Sequence, residues 1–460
     1  MTRRIHIPLL LALAASAGCR EDVPRADASQ GTASAAPEAA APASSGAPAA
    51  ASTSTEPNAS SAKPACDAGN GGITLPAGFC ATVFADNLAA PRHLVVSRDG
   101  IVYVALEGSG RAGSGGGVMA LRDSNGDGKA DQRATFGGTA GTGIALAGNS
   151  LYFAPDDRVL RFTLTPGTLA PAGGPVTVVS GLPTGGHTAK TIAVDGRGAL
   201  FVNVGSRTNA CQTQDRQRGV KGIDPCPELA TRAGIFRFDA NRARQTQAAS
   251  VHFARGIRNS VAIAYRPGAG LYVVQHGLDQ LSDNWPNLFN DRQNAEMPGE
   301  EFLKVEQGDD FGWPYCFYDP AAKRKVLAPE YGGDGRQTGR CTRAKQPLMA
   351  FPGHWAPESL VFYAGTMFPA QYRGGAFVAF HGSWNRAPLP QAGYRVVYVP
   401  MAGGVPSGPY RDFATGFEGG ARSGGEVAHR PMGLAQGPDG ALYVSDDKGG
   451  RIWRIVWRGA

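Results

Sequence analysis

The chain has 460 residues with 64 Gly and 33 Pro, and 18% of them are charged and 8% aromatic, which suits a turn-rich globular protein with a large core. Its formal net charge is +7, from 45 Lys+Arg against 38 Asp+Glu, yet the charges are scattered singly and no basic run is interleaved with aromatics. That pattern argues against nucleic acid as a partner and leaves room for a mildly basic pocket that takes an acidic small molecule.

The N-terminus reads Met1-Thr2-Arg3-Arg4, then an apolar run from Ile5 to Ala15, then Ser16-Ala17-Gly18-Cys19. Two positive charges, an apolar stretch too short to span a bilayer and small residues before the break describe an export signal over residues 1–18. Gly18-Cys19 resembles a bacterial lipoprotein cleavage site, so Cys19 is the expected lipidated residue, with ordinary secretion as the alternative. Residues 19–65 hold almost no large apolar side chains and cannot bury enough surface to offset chain ordering, so they read as a disordered tether. The expected location is periplasmic or on the cell surface, where the compartment is oxidising. The other six cysteines then pair locally as Cys66–Cys80, Cys211–Cys226 and Cys316–Cys341. Metal ligation is the alternative, and no Cys-x-x-Cys spacing supports it.

From residue 66 onward one pattern recurs: an apolar strand, a Gly or Asp-Gly turn, and a second strand rich in Val, Tyr and Leu. It starts at Leu94 to Val104, returns at Gly143 to Phe153 and Thr191 to Val202, then at Val261 to Val274, Val361 to Phe380 and Gly433 to Val444. Gly and Asp supply the left-handed backbone positions that hairpin turns require. Six such copies, several followed by a further strand pair and none by a convincing amphipathic helix, predict an all-β domain over 66–460. The expected fold is a six-bladed β-propeller of four-stranded antiparallel blades. Phe79 to Ala85 is expected to complete the last blade and close the ring. The longest insertion, around Pro286 to Trp355, should shape a site on one face.

Two stretches carry chemistry of their own. Phe253-Ala254-Arg255-Gly256-Ile257-Arg258-Asn259-Ser260, followed by Gln275-His276-Gly277-Leu278-Asp279, sets a fixed positive charge, an amide and free carbonyls in one strand-turn-strand unit. Guanidinium matches carboxylate and backbone oxygen matches calcium, so the unit suits an anionic ligand with a hard cation. Asp123-Ser124-Asn125-Gly126-Asp127-Gly128-Lys129-Ala130-Asp131 has a calcium-loop pattern, with oxygen ligands at Asp123, Asn125, Asp127 and Asp131 and the Lys129 carbonyl between them. The closing Glu is missing, since Ala134 stands in its place. The expectation is a structural calcium loop with no catalytic role, the alternative an unoccupied polar hairpin.

Leu75-Pro76-Ala77-Gly78-Phe79, Gly256-Ile257-Arg258-Asn259, Gly308-Asp309-Asp310-Phe311-Gly312-Trp313-Pro314 and Gly437-Pro438-Asp439-Gly440-Ala441-Leu442-Tyr443-Val444, in that order, resemble the soluble glucose/sorbosone dehydrogenases that use pyrroloquinoline quinone (PQQ). The resemblance covers about Leu75 to Trp457. It implies that His187, in Gly185-Gly186-His187-Thr188, is the general base. It implies that Arg258 and Asn259 contact the quinone and that Arg258 also stabilises its reduced form. Backbone carbonyls of Gly277 and Leu278 would hold the cofactor's Ca2+, with Asp279, Asp283 and Glu300 or Glu301 supplying charge behind it. Arg430 would contact a cofactor carboxylate, and His381, Trp384 and Asn385 would line the pocket.

Several positions depart from the glucose-oxidising pattern: Met432 replaces a second arginine, Asn385 a lysine and Leu278 a proline, and Thr139 to Thr142 offers no glutamine. These point to the sorbosone- or pyranose-oxidising branch. The implied activity is oxidation of an aldose, pyranose or carbonyl sugar, with a quinone or cytochrome as onward acceptor and a monomer as sufficient assembly. The alternative is a propeller that binds carbohydrate or protein without redox chemistry. A metal-dependent lactonase-like propeller ranks last, because the repeats place no matching acidic ligands.

Overall fold

The computed structural model describes residues 65–108, 115–421 and 426–459; the export signal, Cys19 and nearly all of the tether lie outside them. The described chain forms six antiparallel sheets of at least four strands each. Their inner strands are Pro91–Val96, Gly141–Ala147, Ile192–Val194, Ala262–Arg266, Pro357–Phe362 and Pro431–Gln436, in blades 1 to 6. Each inner strand packs against the next, and that of blade 6 packs against that of blade 1, so the blades close into the predicted propeller.

Closure is made as the sequence suggests. Phe79–Ala85 is the outer strand of blade 6, pairing antiparallel with Arg451–Trp457 in a register that sets Phe79 against Trp457. The Phe79 ring meets Phe368, Tyr372, Phe413 and Trp457 edge-on at centroid distances of 4.8 to 5.3 Å. The first strand therefore fills the aromatic seam between blades 5 and 6. All three predicted disulfides are present; Cys66–Cys80 ties the entering chain to the closing strand.

Three features differ from expectation. Blades 2 and 3 each gain a short fifth strand in parallel, Gln245–Thr246 and Asp309–Asp310. The insertion is two excursions rather than one, because Glu300–Val305 returns as the third strand of blade 4. It also carries two short helices, Leu281–Asn284 and Asp291–Glu296, the second held by a capping box between Asn290 and Gln293. In the Asp123 loop the side-chain oxygens bond to local donors: Asp123 accepts from the amides of Gly126, Asp127 and Gly128, Asp127 from Lys129, and Asp131 from Ser124. Lys129 Nζ pairs with Asp67 at 3.0 Å. The acidic side chains here cap local amides in place of converging, and no group of three or more His, Cys, Asp or Glu among the described residues is gathered for a metal.

Short polar side chains sew the inner strands together around the axis. Ser359 Oγ accepts from Leu434 N, Ser445 Oγ donates to the Arg92 carbonyl, and Thr191 Oγ1 donates to the Ser260 carbonyl. His93 of blade 1 reaches the Glu358 carbonyl of blade 5, with Nε2 at 2.7 Å. A Cβ at Gly433 would lie 2.5 Å from the Arg92 carbonyl oxygen, so glycine lets the inner strands of blades 6 and 1 approach this closely.

Two outcomes follow for stability. Phe79→Ala should cost about 3–5 kcal/mol by denaturant melt, because it empties the seam that closes the ring. Burial lowers the His93 pKa from 6.5 to about 4, so the unfolded chain binds this proton first and stability is lost as pH falls from 6.5 toward 4. The shift is worth up to about 3 kcal/mol; His93→Gln should flatten that part of the stability-versus-pH curve, as read by melting at a series of pH values.

Candidate active site

In an antiparallel blade the loop leading into the inner strand and the loop between the second and third strands leave the same face. Asp279, Arg258, His187, Asn385, His381, Asp447, Arg430, Arg92 and Glu358 lie on these loops or at the start of an inner strand, so the topology collects them.

Asp279, in the loop after Gly270–Gln275, is the centre of the first cluster. Its Oδ2 accepts from Arg258 Nη2 at 2.7 Å and Arg216 Nη2 at 2.9 Å, and its Oδ1 from Asn385 Nδ2 at 3.0 Å. His354 Nδ1 lies 3.6 Å from Oδ1. Asn209 fixes the loop itself, accepting from Asp279 N and donating to Asp279 O, while its Oδ1 also takes Arg258 Nη2 at 2.9 Å. Burial works to raise the Asp279 pKa, but Arg258, His354 and Arg216 hold it well below the usual carboxylate range. His354 Nε2 faces the carbonyls of Asn294 and Met297 and so carries a hydrogen. Against the effect of its burial, Asp279 and Glu300 raise its pKa. In turn, burial raises the pKa of Glu300, which accepts from Gly277 N.

Arg258 is placed from behind as well. Its amide donates to Gln275 Oε1, Gln275 Nε2 donates to Glu301 Oε1, and Glu301 Oε2 pairs with Lys325 Nζ at 2.7 Å. Lys325 is 1% exposed and lies on the hairpin of Cys316–Asp319 and Arg324–Leu327. A buried ion pair thus fastens the insertion to the third strand of blade 4, behind the loop that presents the arginine.

His187 enters from the loop before Ile192–Val194. Its Nδ1 lies 3.0 Å from the Ser206 carbonyl and 3.0 Å from Ser206 Oγ. A carbonyl only accepts, so Nδ1 carries the hydrogen and Nε2 keeps its lone pair. Burial first, and then the charge of Arg258, lower its pKa to about 3, leaving the ring neutral. A Cβ at Gly205 would fall 2.6 Å from His187 Cβ and 2.8 Å from Asn259 Oδ1, so this glycine permits both side chains to approach.

A second cluster forms around Asp447. Its carboxylate accepts from His381 Nε2 at 2.8 Å and Arg92 Nη1 at 2.5 Å, and against its burial these two lower its pKa to about 2. Arg430 Nη1 stands 3.1 Å from His381 Nδ1, and because arginine only donates, Nδ1 is the acceptor. Both nitrogens of His381 are therefore engaged. Glu358 stands between the clusters: Oε1 is 3.8 Å from His276 Nε2, and its charge helps to raise the Arg92 pKa.

The site fits an anionic, planar cofactor in its charge and its unmet hydrogen bonds. Arg258 Nε and Asn385 Oδ1 are buried with no partner, and no hydrogen bond among the described residues is accepted by the carbonyls of Gly277 or Leu278. Trp384 is 62% exposed, so it sits at the surface beside Asn385 rather than in the buried cluster. Asp283 is exposed. Sequence reasoning named Asp279 only as a background charge and missed Arg92, Asn209, Ser206, His276, His354, Glu358 and Asp447. A signal existed for two of them. Aligning the repeats stacks Pro91-Arg92-His93-Leu94 on Pro357-Glu358-Ser359-Leu360, and both carry the charge just before the first buried apolar residue.

Comparison with known proteins agrees with this architecture. Residues 73–458 match the family model described as TrAA12-like. A PQQ-dependent pyranose dehydrogenase of Coprinopsis cinerea is 26% identical over 422 residues, covering 82% of this chain and 54% of that protein. The chain thus spans about half the length of that relative. Among solved structures, the holo PQQ domain of the Coprinopsis cinerea pyranose dehydrogenase has a TM-score of 0.67 at 21% identity, covering 84% of this chain and 97% of that one. A calcium structure of the Trichoderma reesei carbohydrate-active enzyme of family AA12 gives the same TM-score, identity and coverages. These likenesses show a shared fold. With its six-bladed ring and with a family match over most of its length, the chain belongs to the TrAA12-like family.

Proposed function

We propose that the protein is a PQQ-dependent dehydrogenase that oxidises a sugar, an aldose, pyranose or carbonyl sugar, at a site built on the Asp279 face. The observation that carries this reading is the tautomer of His187: with Nδ1–H bound to Ser206, a neutral Nε2 remains free to accept a hydroxyl proton. Its relatives' printed names, pyranose dehydrogenase and family AA12, support the substrate class. Bound PQQ with Ca2+ would supply the hydride acceptor.

The protein's own groups would then divide the work. Arg92, Arg258 and Arg430 supply the positive charge that holds carboxylates, and Arg258 stabilises developing negative charge. Asn259 and Asn385 would add amide contacts, and the Gly277 and Leu278 carbonyls would hold the Ca2+. His187 with a pKa of about 3 is a weak base, so it takes the proton only as the substrate C–H bond breaks. Onward electrons pass to a quinone or cytochrome. Export, with Cys19 lipidated as the sole membrane attachment, accords with three disulfides in the folded body.

Reconstitution with PQQ and Ca2+, followed by dye reduction over a sugar panel, tests the reading. His187→Ala should lower kcat by about 100- to 10,000-fold with quinone binding retained; sugar binding without any quinone spectrum would instead indicate a carbohydrate-binding propeller. His187 sets an acid limb of kcat/KM near its lowered pKa of about 3 rather than at the ordinary 6.5, measurable in short assays. Arg258→Ala should weaken quinone affinity more than Asn385→Ala in spectral titration, and the reverse ranking would mean that the cofactor lies on the opposite wall.

A further inference from the structure

Glu358 is a buried acidic residue at the start of an inner strand to which the proposed function gives no role. In blade 5 the strand ladder pairs Pro357 with Phe380 and Ser359 with Ala379, so Glu358 is the extra residue of a β-bulge. The ladder slips at the equivalent point in blades 1, 2 and 6, where Arg92, Thr142 and Met432 stand. Bulges release a side chain from sheet alternation and re-aim it, and they recur beside active sites. Glu358 therefore occupies a bulge position that recurs at the start of the inner strand in four of the six blades.

Its backbone is bolted on both sides, the Glu358 carbonyl by His93 Nε2 and the preceding Pro357 carbonyl by His276 Nε2 at 2.9 Å. The residue is 8% exposed, and its Oε2 is buried with no hydrogen-bond partner. A rigidly held carboxylate oxygen withdrawn from water carries a desolvation cost that no hydrogen bond in the protein offsets. The missing partner must be a donor. A polycarboxylate quinone presents mostly acceptor oxygens and is repelled by this group, whereas a sugar presents several hydroxyl donors.

We propose that Glu358 is a specificity residue of the sugar subsite, its Oε2 accepting a hydrogen bond from a ring hydroxyl other than the one oxidised. This rests on the dehydrogenase reading for the identity of the ligand. The subsite then lies beside His276 and Arg92, the neighbours of the Glu358 carboxylate.

The test uses the full chain and Glu358→Gln, which keeps size while replacing an acceptor-only group. Calorimetry of the cofactor-free protein should show sugar binding at least tenfold weaker in the variant. In the PQQ- and Ca2+-loaded enzyme, a panel of monodeoxy sugars should contain one for which kcat/KM is reduced in the wild type and no longer differs between wild type and variant. PQQ and Ca2+ titrations should agree within twofold. Equal sugar affinities, or the same loss for every deoxy sugar, would overturn the proposal. So would a primary loss of PQQ or Ca2+ affinity, which would place Glu358 on the cofactor. A wild type with no quinone spectrum whose sugar binding still depends on Glu358 would refute the redox reading and uphold this one.

Discussion

The candidate site depends on one buried carboxylate. Asp279 cannot remain ionised away from water unless partners are brought to it, and it gathers Arg258, Arg216, Asn385 and His354 from different loops. Those loops have no sequence contact with one another; they are held in register because each supplies a donor to the same two oxygens. Arg258 and Arg216 flank this carboxylate, and Asp215 takes the other side of Arg216 at 3.0 Å. An anionic ligand entering there meets an Arg258 guanidinium that the protein has already oriented.

The same economy appears one layer further out. Arg258 is held through its amide by Gln275, and Gln275 by Glu301, which is neutralised by Lys325 from the insertion. A long excursion that departs from the propeller pattern therefore has a structural reason for its length: it returns a lysine to the back of the blade. The Cys316–Cys341 bridge stiffens the segment that carries this lysine. Loops of such length need anchoring if they are to hold a site still, and here the anchors are one covalent bond and one buried ion pair.

What the sequence revealed and what it concealed divide along a physical line. Blades, closure by Phe79–Ala85 and the cysteine pairs were legible because each follows from a short-range signal, namely period-two alternation, Gly and Asp turns, and close cysteine spacing. Arg258, His187 and Asn385 were legible through a resemblance in motif order. The Asp279 and Asp447 clusters were hidden because their partners are brought together only by ring geometry, as with Arg92 and Asp447, which are 355 positions apart. The Asp123 loop is ambiguous for the opposite reason. Its local pattern fits a cation, yet the same Asp and Asn residues also satisfy backbone amides, and spacing alone does not distinguish the two uses.

Closure by the first strand has a kinetic corollary. Phe79 has no strand to pair with until Trp457 has been made, and Arg92 has no carboxylate until Asp447 has been made. Contacts so distant in sequence carry a large loop-closure cost and form late in folding. The Asp447 half of the pocket is thus among the last parts to assemble, and a chain interrupted anywhere before blade 6 lacks both the seal of the ring and one of its anion-attracting walls. Ligand capture becomes a report that synthesis and folding have both finished.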